Sequence, residues 1–429
     1  MNGLVVAAAL VVLLVGTEAF FTLLSVLNRR HEERLVDAER EWVREELDVE
    51  EPDELLDYHR ATTGLSLLRS WLGLGALLFV LFSGVFADVV SALNATGLSP
   101  LAQGVVFVGG GLLATRLFGV PFDLVNTFVV EEIFGFNNQS PRLWLRDFLL
   151  GTAISLVLVS AFAAAVLWVI ESVPYWPAAA WALLVAVSLA MLVLKPRVID
   201  PLFYEFTSVE GTDLRDAVDE VFERAGFSCE QVYEMVASRR SSHSNAYFVG
   251  FGRTKRVVLF DTLIDGMETE EIQSVLAHEL AHWKGAHIWK FVGLFAARFA
   301  VVFAVLGYLV GATWLYAPFG VPQLPYVGLA LALLWVGPIN RLTSPINNVL
   351  SLKFEREADA YAVDLVSGDA MAGALTALAA DNLATLFPHP WYETFHYDHP
   401  PIPERVRYVR EMYGGRTGEP DDDPATPAD

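Results

Sequence analysis

The segment from Val275 to His287, VLAHELAHWKGAH, holds the residue types that bind and activate a metal ion. His278 and His282 are four residues apart, so on a helix both imidazoles project from one face. Glu279 follows the first histidine and is expected beside such a metal, close to its bound water. Two imidazoles on zinc and a nearby carboxylate are the arrangement of a zinc hydrolase. In a chain with 9 histidines, a chance HExxH match is on the order of one in a hundred.

A third metal ligand is expected from another segment, because a catalytic zinc keeps three protein ligands and one open position. Residues 353–362, KFEREADAYA, provide the candidates. On a helix, Glu355 and Asp359 share one face, whereas Glu357 points nearly the opposite way. We therefore predict that Glu355 binds the metal and that Asp359 accepts the N–H of a metal-binding histidine. The alternative is a charged helix surface, but its pairing with HExxH favours the ligand interpretation.

Residues 242–264, SHSNAYFVGFGRTKRVVLFDTLI, predict a β-hairpin with a Gly-Arg turn. An exposed edge strand can bind an extended peptide by adding it as another strand. Asn245, Ala246 and Tyr247 on the first strand are the predicted substrate-binding residues, and the Asn245 side chain could also bond the peptide backbone. A purely structural hairpin is the alternative.

His399 is predicted to reach the site, and His287 is predicted to point away from it. His399 precedes two prolines, which favour an extended backbone, and is predicted to reach the site and stabilise an oxyanion. His396 and His399 are too distant in the sequence to be assigned as ligands. His287 lies about 180° around a continuous helix from His278, so we expect it to point away from the metal.

The HExxH helix, whose N-terminus Thr269 could cap, precedes a long apolar run. The chain is 54% hydrophobic, with a mean hydropathy of +0.42. Seven runs are long enough to cross a bilayer, which takes roughly 20 helical residues. They lie near 3–27, 66–93, 101–129, 147–170, 176–195, 291–316 and 325–349.

Charge placement orients these spans. The N-terminus and the connections around 92–100, 172–177 and 317–325 contain no lysine or arginine. The positive-inside rule therefore predicts a multi-pass protein of the cell membrane, with the N-terminus outside and the C-terminus and metal site cytoplasmic. The predicted domains are spans 1–5 at 1–195, spans 6–7 at 291–349, a protease domain in two parts at 196–290 and 350–413, and a disordered acidic tail at 414–429.

Acidic residues outnumber basic ones, 51 to 29, and give a net charge of -22. This balance argues against nucleic acid as a partner, since phosphate contacts need a basic face. Only five basic residues are lysines, which together with the acidity suggests a salt-adapted prokaryotic protein; an ordinary acidic protein is the alternative. The single Cys229 excludes an internal disulfide and a cysteine-based zinc site.

These motifs resemble those of the type I CaaX prenyl endopeptidases, which are membrane zinc metalloproteases. The resemblance rests on segments spread over most of the chain: PFDLVNTFVVEEIFGFNNQS at 121–140, IDPLFYEFTSVEGTDLRDAV at 199–218, HSNAYFVGF at 243–251, RVVLFDTL at 256–263, HELAHWK at 278–284, FEREADAYA at 354–362 and HPPIPERV at 399–406. It implies a mainly α fold, with seven transmembrane helices forming a barrel around a chamber and a cytoplasmic gluzincin-like domain with a small β-sheet.

The resemblance also implies site roles. It places one Zn²⁺ on His278, His282 and Glu355, with Glu279 as general base, in agreement with the spacing argument. It implies Asn245 on the substrate strand and places His399 and Arg405 near the reaction centre. Ala281 departs from the family, which usually has glycine there.

The predicted function is a membrane-embedded zinc endopeptidase that processes the C-terminus of a lipidated or membrane-delivered peptide. Its partners would be a peptide or protein substrate, with or without a prenyl group, and the lipid bilayer; the oligomeric state stays open. One alternative is an HtpX-like quality-control protease, although that family has fewer spans. Others are a transporter that uses the chamber, or a scaffold with structural zinc, which would not need Glu279.

Overall fold

The structure is a computed structural model that describes residues 2–47, 49–229, 231–249 and 255–417, and it is mainly helical with one small sheet. The N-terminal helices are α1 Gly3–Ala38, α2 Arg40–Glu46, α3 Pro52–Phe82, α4 Val85–Ala95, α5 Pro100–Val125, α6 Glu131–Ile133, α7 Pro141–Ser172 and α8 Trp176–Leu194. The central elements are α9 Asp200–Phe203, β1 Phe206–Ser208, α10 Asp213–Arg224, β2 Val232–Met235, β3 Ala246–Val249, β4 Arg256–Phe260, α11 Asp261–Gly266 and α12 Thr269–Lys284. The C-terminal helices are α13 His287–Gly311, α14 Pro325–Leu342, α15 Pro345–Leu365, α16 Gly368–Asp381, α17 Pro390–His396 and α18 Ile402–Thr417. π-helical turns join α5 to α6 and α8 to α9, and two short 3₁₀ turns lie between α13 and α14.

Six segments of the described chain are long and apolar enough to cross a membrane: α1, α3, α5–α6, α7, α8–α9 and α13. Helices α14 and α15 pass this test only as a pair bent by 40°. The break falls at Thr343, which has φ -97° and ψ 9°, two residues before Pro345, whose ring nitrogen has no N–H with which to continue the hydrogen bonds of α14. The seven predicted spans are therefore six unbroken segments and one broken pair.

The membrane helices contact one another in a closed ring. In order, α1 packs on α3, then α5, α7, α8, α13 and α14 follow, and α14 returns to α1; α14 also contacts α5 and α7 across the ring. Only 6% of the most apolar stretch is buried in α3, in α5–α6 and in α8–α9. A helix in a solid bundle buries a stripe about 100° wide, so these helices leave both their outer and inner sides uncovered. This arrangement fits the predicted barrel around a chamber.

The buried residues of the ring are concentrated at the end far from α12. Because α12 leads directly into α13, the far end is the one where α13 finishes. There, the ends of α3, α7 and α13 meet the starts of α5, α8 and α14. We call this group the distal cluster; it includes Leu81, Phe86, Leu167, Ala180, Leu309 and Tyr326. Gly104 permits the close approach, because a Cβ there would collide with Leu167 and Tyr326.

The sheet has the strand order β1-β2-β4-β3 among the described residues, with β2 and β4 parallel and the other pairs antiparallel. In the described chain β3 pairs only with β4, so it is an edge strand. Strands β3 and β4 form the predicted hairpin. Its predicted Gly-Arg turn falls within 250–254, outside the described residues.

A second core lies at the other end of the ring. We call it the packed layer; it joins α2, β2–β4, α10–α12, α16 and α18 with the end of α1, the start of α3 and the end of α15. Val36, Val43, Leu47 and Leu55 belong to it, so the connection after the first span is part of this layer rather than a surface loop. The domain division given above stays a prediction. Of its tail, residues 414–417 continue α18 and 418–429 lie outside the described residues.

Candidate active site

Helix α12 carries the HExxH residues on a well-anchored scaffold. Its N-cap is Glu268 rather than the predicted Thr269, and the Glu271 side chain accepts the Glu268 backbone N–H at 3.0 Å, which completes a capping box. Leu276 and Leu280 are fully buried in the packed layer. The buried stripe fixes the rotation of the helix, so His278 and His282 face α15, which packs across α12.

The structure brings His278, His282 and Glu355 together. One ligand atom from each lies within 4.8 Å of the others. Glu355 Oε2 is 3.4 Å from His278 Nε2, Glu355 Oε1 is 3.2 Å from His282 Nε2, and the two Nε2 atoms are 3.2 Å apart. The two nitrogens and the carboxylate surround a space of the size that one cation would take.

The chemistry of this group fits a metal ion. Among the described residues, Glu355 Oε2 is buried and has no hydrogen-bond partner. A buried carboxylate oxygen without a donor is costly, and a cation would satisfy it. Burial disfavours the charged form of His278, yet the Asp359 and Glu355 carboxylates beside its ring outweigh burial and raise its pKa to about 9. The site therefore attracts positive charge, and two nitrogens with one carboxylate suit zinc.

Asp359 and Arg405 support the first histidine. Asp359 is fully buried, and its Oδ1 accepts from His278 Nδ1 at 2.9 Å, which leaves Nε2 free for a metal. Arg405 donates to both oxygens of Asp359, at 2.6 and 2.9 Å. Burial opposes the charge of Arg405, but Asp359 raises its pKa above the ordinary value, so the guanidinium stays protonated. The sequence assigned no such contact to Arg405.

His399 and Glu279 complete one pocket. His399 Nε2 lies 3.4 Å from Glu355 Oε1, and its Nδ1 donates to Asp398 at 2.9 Å. That hydrogen bond raises the pKa of His399. The pocket is lined by Asn245, Ala246, Leu263, Val275, His278, Glu279, Met371, Ala374, Leu375, Leu378, His399 and Arg405. The lining therefore combines polar groups with aliphatic side chains.

Of the three predicted substrate-binding residues, two line the pocket and one lies on the opposite face of the sheet. Asn245 and Ala246 line the pocket. Phe260 N–H donates to Asn245 O at 3.1 Å, so by antiparallel alternation the backbone groups of Ala246 and Phe248 face the free edge of β3. Tyr247 is on the other face of the sheet, where its ring packs against Phe260.

The prediction for His287 is wrong. Helix α12 ends at Lys284, and Ala286 adopts a left-handed conformation with φ 53°, so His287 begins a new helix instead of continuing the old one. Its Nδ1 lies 3.0 Å from His282 Nδ1, and its Nε2 is 3.4 Å from Glu357 Oε2. If His287 donates to Glu357 and accepts from His282, then His282 Nε2 is free for a metal. Gly285 was the signal for the break: a Cβ there would collide with the His287 ring.

Two family descriptions match the chain. "CAAX prenyl protease N-terminal, five membrane helices" matches residues 33–205, and "Peptidase family M48" matches residues 208–413. The CAAX prenyl protease 1 homolog of Arabidopsis thaliana is 36% identical, covering 71% of this chain and 72% of that protein. CAAX prenyl protease 1 of Saccharomyces cerevisiae is 30% identical over 92% of this chain and 94% of that protein.

A crystal structure of S. mikatae Ste24p superposes with a TM-score of 0.87 at 26% identity, covering 94% of this chain and 98% of that one. Fold and site thus define an integral, multi-pass membrane metallopeptidase. More particularly, the chain belongs to peptidase family M48, in its CAAX prenyl protease group. The resemblance, the fold class and the enzyme class predicted from the sequence are confirmed.

Proposed function

We propose that this metalloprotease uses zinc, bound by His278, His282 and Glu355, with Asp359 orienting His278. The observation that carries the proposal is the convergence of three ligand atoms within 4.8 Å, one of them a buried carboxylate oxygen that lacks a hydrogen-bond donor among the described residues. Two imidazoles and one carboxylate leave a coordination position open, as a catalytic zinc requires.

Each remaining polar group has a place in peptide hydrolysis. Zinc, when bound, polarises the scissile carbonyl and lowers the pKa of the attacking water. Glu279 accepts a proton from that water and passes it to the leaving amine. The Asp398 carboxylate favours the protonated form of His399, which donates to the developing oxyanion, while Arg405 adds positive charge beside it.

The peptide binds as an added strand on β3. The carbonyl of Ala246 and both backbone groups of Phe248 face the free edge. The Ala246 N–H donates to Asn245 Oδ1 at 2.8 Å, which leaves the Asn245 side-chain nitrogen as a donor beside them. Tyr247 holds the strand to β4 through the register Tyr247↔Val258 and does not line the pocket. An added strand is held by hydrogen bonds to its backbone. These bonds place the scissile peptide bond at a fixed position and do not require a particular side-chain sequence.

The substrate is a C-terminal CaaX peptide, and a prenyl group on it reaches the site from the bilayer. The relatives' printed names support this choice. The ring of membrane helices, with its uncovered inner sides, supports entry of a lipidated chain. The charge distribution supports the cell membrane as location, with the N-terminus outside and the zinc site cytoplasmic.

The test uses detergent-purified, zinc-loaded protein with a farnesylated CaaX peptide and its unprenylated copy. The unmutated protein should cleave the farnesylated peptide faster. Glu279→Gln should lose about 10²–10⁴-fold in rate while keeping its zinc, because only the proton transfer is removed. Glu270→Gln, an exposed position on the same helix, is the control and should stay active.

Cleavage of neither peptide by the zinc-loaded protein would overturn the proposed activity. Equal cleavage of both peptides would leave the protease but reject the prenylated substrate.

A further inference from the structure

The segment that leads into β3 is held by side chains from three separate elements. Its own sheet secures β3 on one side only, among the described residues. Residues 240–242 instead contact the loop that follows α6: Asn138 N–H donates to Arg240 O at 3.1 Å, and Ser242 N–H donates to Phe136 O at 3.3 Å. The approach to the substrate strand therefore lies against the end of a membrane helix.

His243 is the centre of these contacts. Its ring stacks on Phe136 with 4.3 Å between ring centroids. Its Nε2 lies 3.5 Å from Oε2 of Glu131 on α6, and its Nδ1 lies 3.0 Å from Oδ1 of Asn382, which follows α16. Because both ring nitrogens face oxygen atoms, both can donate when the ring is protonated, and the hydrogen bond to Glu131 raises the pKa of His243.

Asn382 holds the next residue as well. Its Oδ1 accepts Ser244 N–H at 3.2 Å, and its Nδ2 donates to Leu378 O at 3.0 Å and to Ser244 O at 3.5 Å. One amide thus closes the end of α16 and binds both backbone groups of Ser244. Ser244 immediately precedes Asn245, which lines the active-site pocket.

The membrane side of the contact is itself anchored. Tyr58 Oη on α3 donates to Glu131 Oε1 at 3.1 Å, and Asn126 Nδ2 lies 3.4 Å from the same oxygen. His59, the next residue on α3, has Nε2 at 2.7 Å from the carbonyl oxygen of Leu383. Leu383 has a left-handed backbone with φ 42°, an unusual conformation for a side chain of this size.

We propose that Glu131, His243 and Asn382 are positioning residues for proteolysis: together they fix the start of β3, the strand that takes the peptide, against the ends of α6 and α16. This inference rests on the proposed function, because it needs β3 to bind substrate. None of the three lines the pocket, so none contacts the reacting atoms. Their effect is on where the peptide lies relative to His278 and Glu279.

The first experiment measures KM and kcat for the CaaX peptide. Asn382→Ala removes the acceptor shared by His243 and Ser244, together with the amide that donates to Leu378 O and Ser244 O, and should raise KM about tenfold. kcat and zinc content should stay within about twofold of the unmutated protein. Asn382→Asp, which keeps the acceptor, should restore most of the affinity. Thr376→Val, within α16 and bonded to Glu46 O away from the strand, is the matched control.

The contact between His243 and Glu131 of α6 is tested by a second pair of variants. Glu131→Ala should raise KM severalfold, Glu131→Gln should recover part of the loss, and Glu132→Ala should do neither, because Glu132 is exposed and contacts Asn137 instead of His243. A fall in active fraction with unchanged KM for Asn382→Ala and Glu131→Ala would show a merely structural role and overturn the proposal.

A second measurement does not depend on activity. Hydrogen exchange of the 243–249 segment should be faster in Asn382→Ala than in Thr376→Val. Unchanged exchange would also overturn the positioning role. If the unmutated protein cleaves no peptide, the proposed function fails and this inference with it; if it cleaves but the variants match it in KM, the inference alone fails.

Discussion

The two ends of the molecule use similar apolar compositions for different purposes. In the packed layer, Leu276 and Leu280 on α12 and Val257 and Leu259 on β4 are fully buried, and the metal-binding group lies directly against them. In the ring, long stretches of apolar side chains remain uncovered, and burial is concentrated in the distal cluster. Chemistry that depends on placing atoms to within an ångström is thus carried by the close-packed end. The ring leaves most of its apolar surface uncovered.

The strongest test of this division removes a metal ligand from the packed layer. Glu355→Ala should lose its zinc and all activity. Only two imidazoles would remain, and a catalytic zinc is held by three protein ligands. Glu357→Ala, two residues along the same helix, should retain most of its zinc. Mass spectrometry measures the zinc content of both variants. A larger loss of zinc in Glu357→Ala than in Glu355→Ala would show that Glu355 is not the ligand.

A second test compares the stability contributed by the two regions. Leu280→Ala on α12 should lower the free energy of unfolding by about 2–5 kcal/mol, since a fully buried leucine leaves a cavity. Leu149→Ala on α7, where the side chain is 57% exposed, should change it by much less. Thermal unfolding in one detergent measures both. Equal losses would mean that the ring is as closely packed as the layer.

His287 lies where the two regions join and should show a smaller effect. His287→Ala removes the partner of His282 Nδ1 and should weaken zinc binding about 10–100-fold, as loss of a hydrogen-bond partner behind a ligand does elsewhere. Ile288→Ala, the next residue on α13, is the control. Competition with a chelator measures the affinity, and an unchanged value for His287→Ala would remove it from the metal site.

The pH dependence of zinc binding tests the electrostatics of the metal-binding group in the packed layer. In the metal-free protein the pKa of His278 is raised to about 9, so below that pH a proton must leave before zinc binds. Zinc affinity should therefore rise about tenfold per pH unit as the pH approaches 9, and then level off. The stability that this proton contributes to the metal-free protein is complete below the unfolded pKa of about 6.5 and is lost as pH rises through about 9. Calorimetry in buffers of different ionisation enthalpy counts the released proton.

Much of the site could be predicted because its logic is local. The spacing of His278 and His282, and of Glu355 and Asp359, puts each pair on one helical face whatever the rest of the chain does. Helix number followed from apolar length in the same way. The contact between the two segments was reached only by assuming one metal, and the structure brings them together.

The other predictions from the sequence failed where the structure depends on a break in the backbone or on contacts between distant segments. His287 was placed by continuing a helix through Gly285 and Ala286, where the chain turns. The predicted span 66–93 crosses Gly84, whose φ of 96° separates α3 from α4. Apolar length also missed that α1 and α3 extend into the packed layer, because their polar ends are held there by packing. His243 and Asn382 are 139 residues apart, and no sequence spacing indicates their contact.

A hollow membrane protein that is open at both ends would let protons and salt run down their gradients. The distal cluster prevents this by filling one mouth with rings and aliphatic side chains, Phe86, Leu167 and Tyr326 among them. An ion crossing that floor would have to shed its hydration in a medium that offers it little, at a cost of tens of kcal/mol in an idealised low-dielectric limit. Packing of this kind at one end of the ring therefore keeps the membrane closed to ions while the other end carries the metal-binding group.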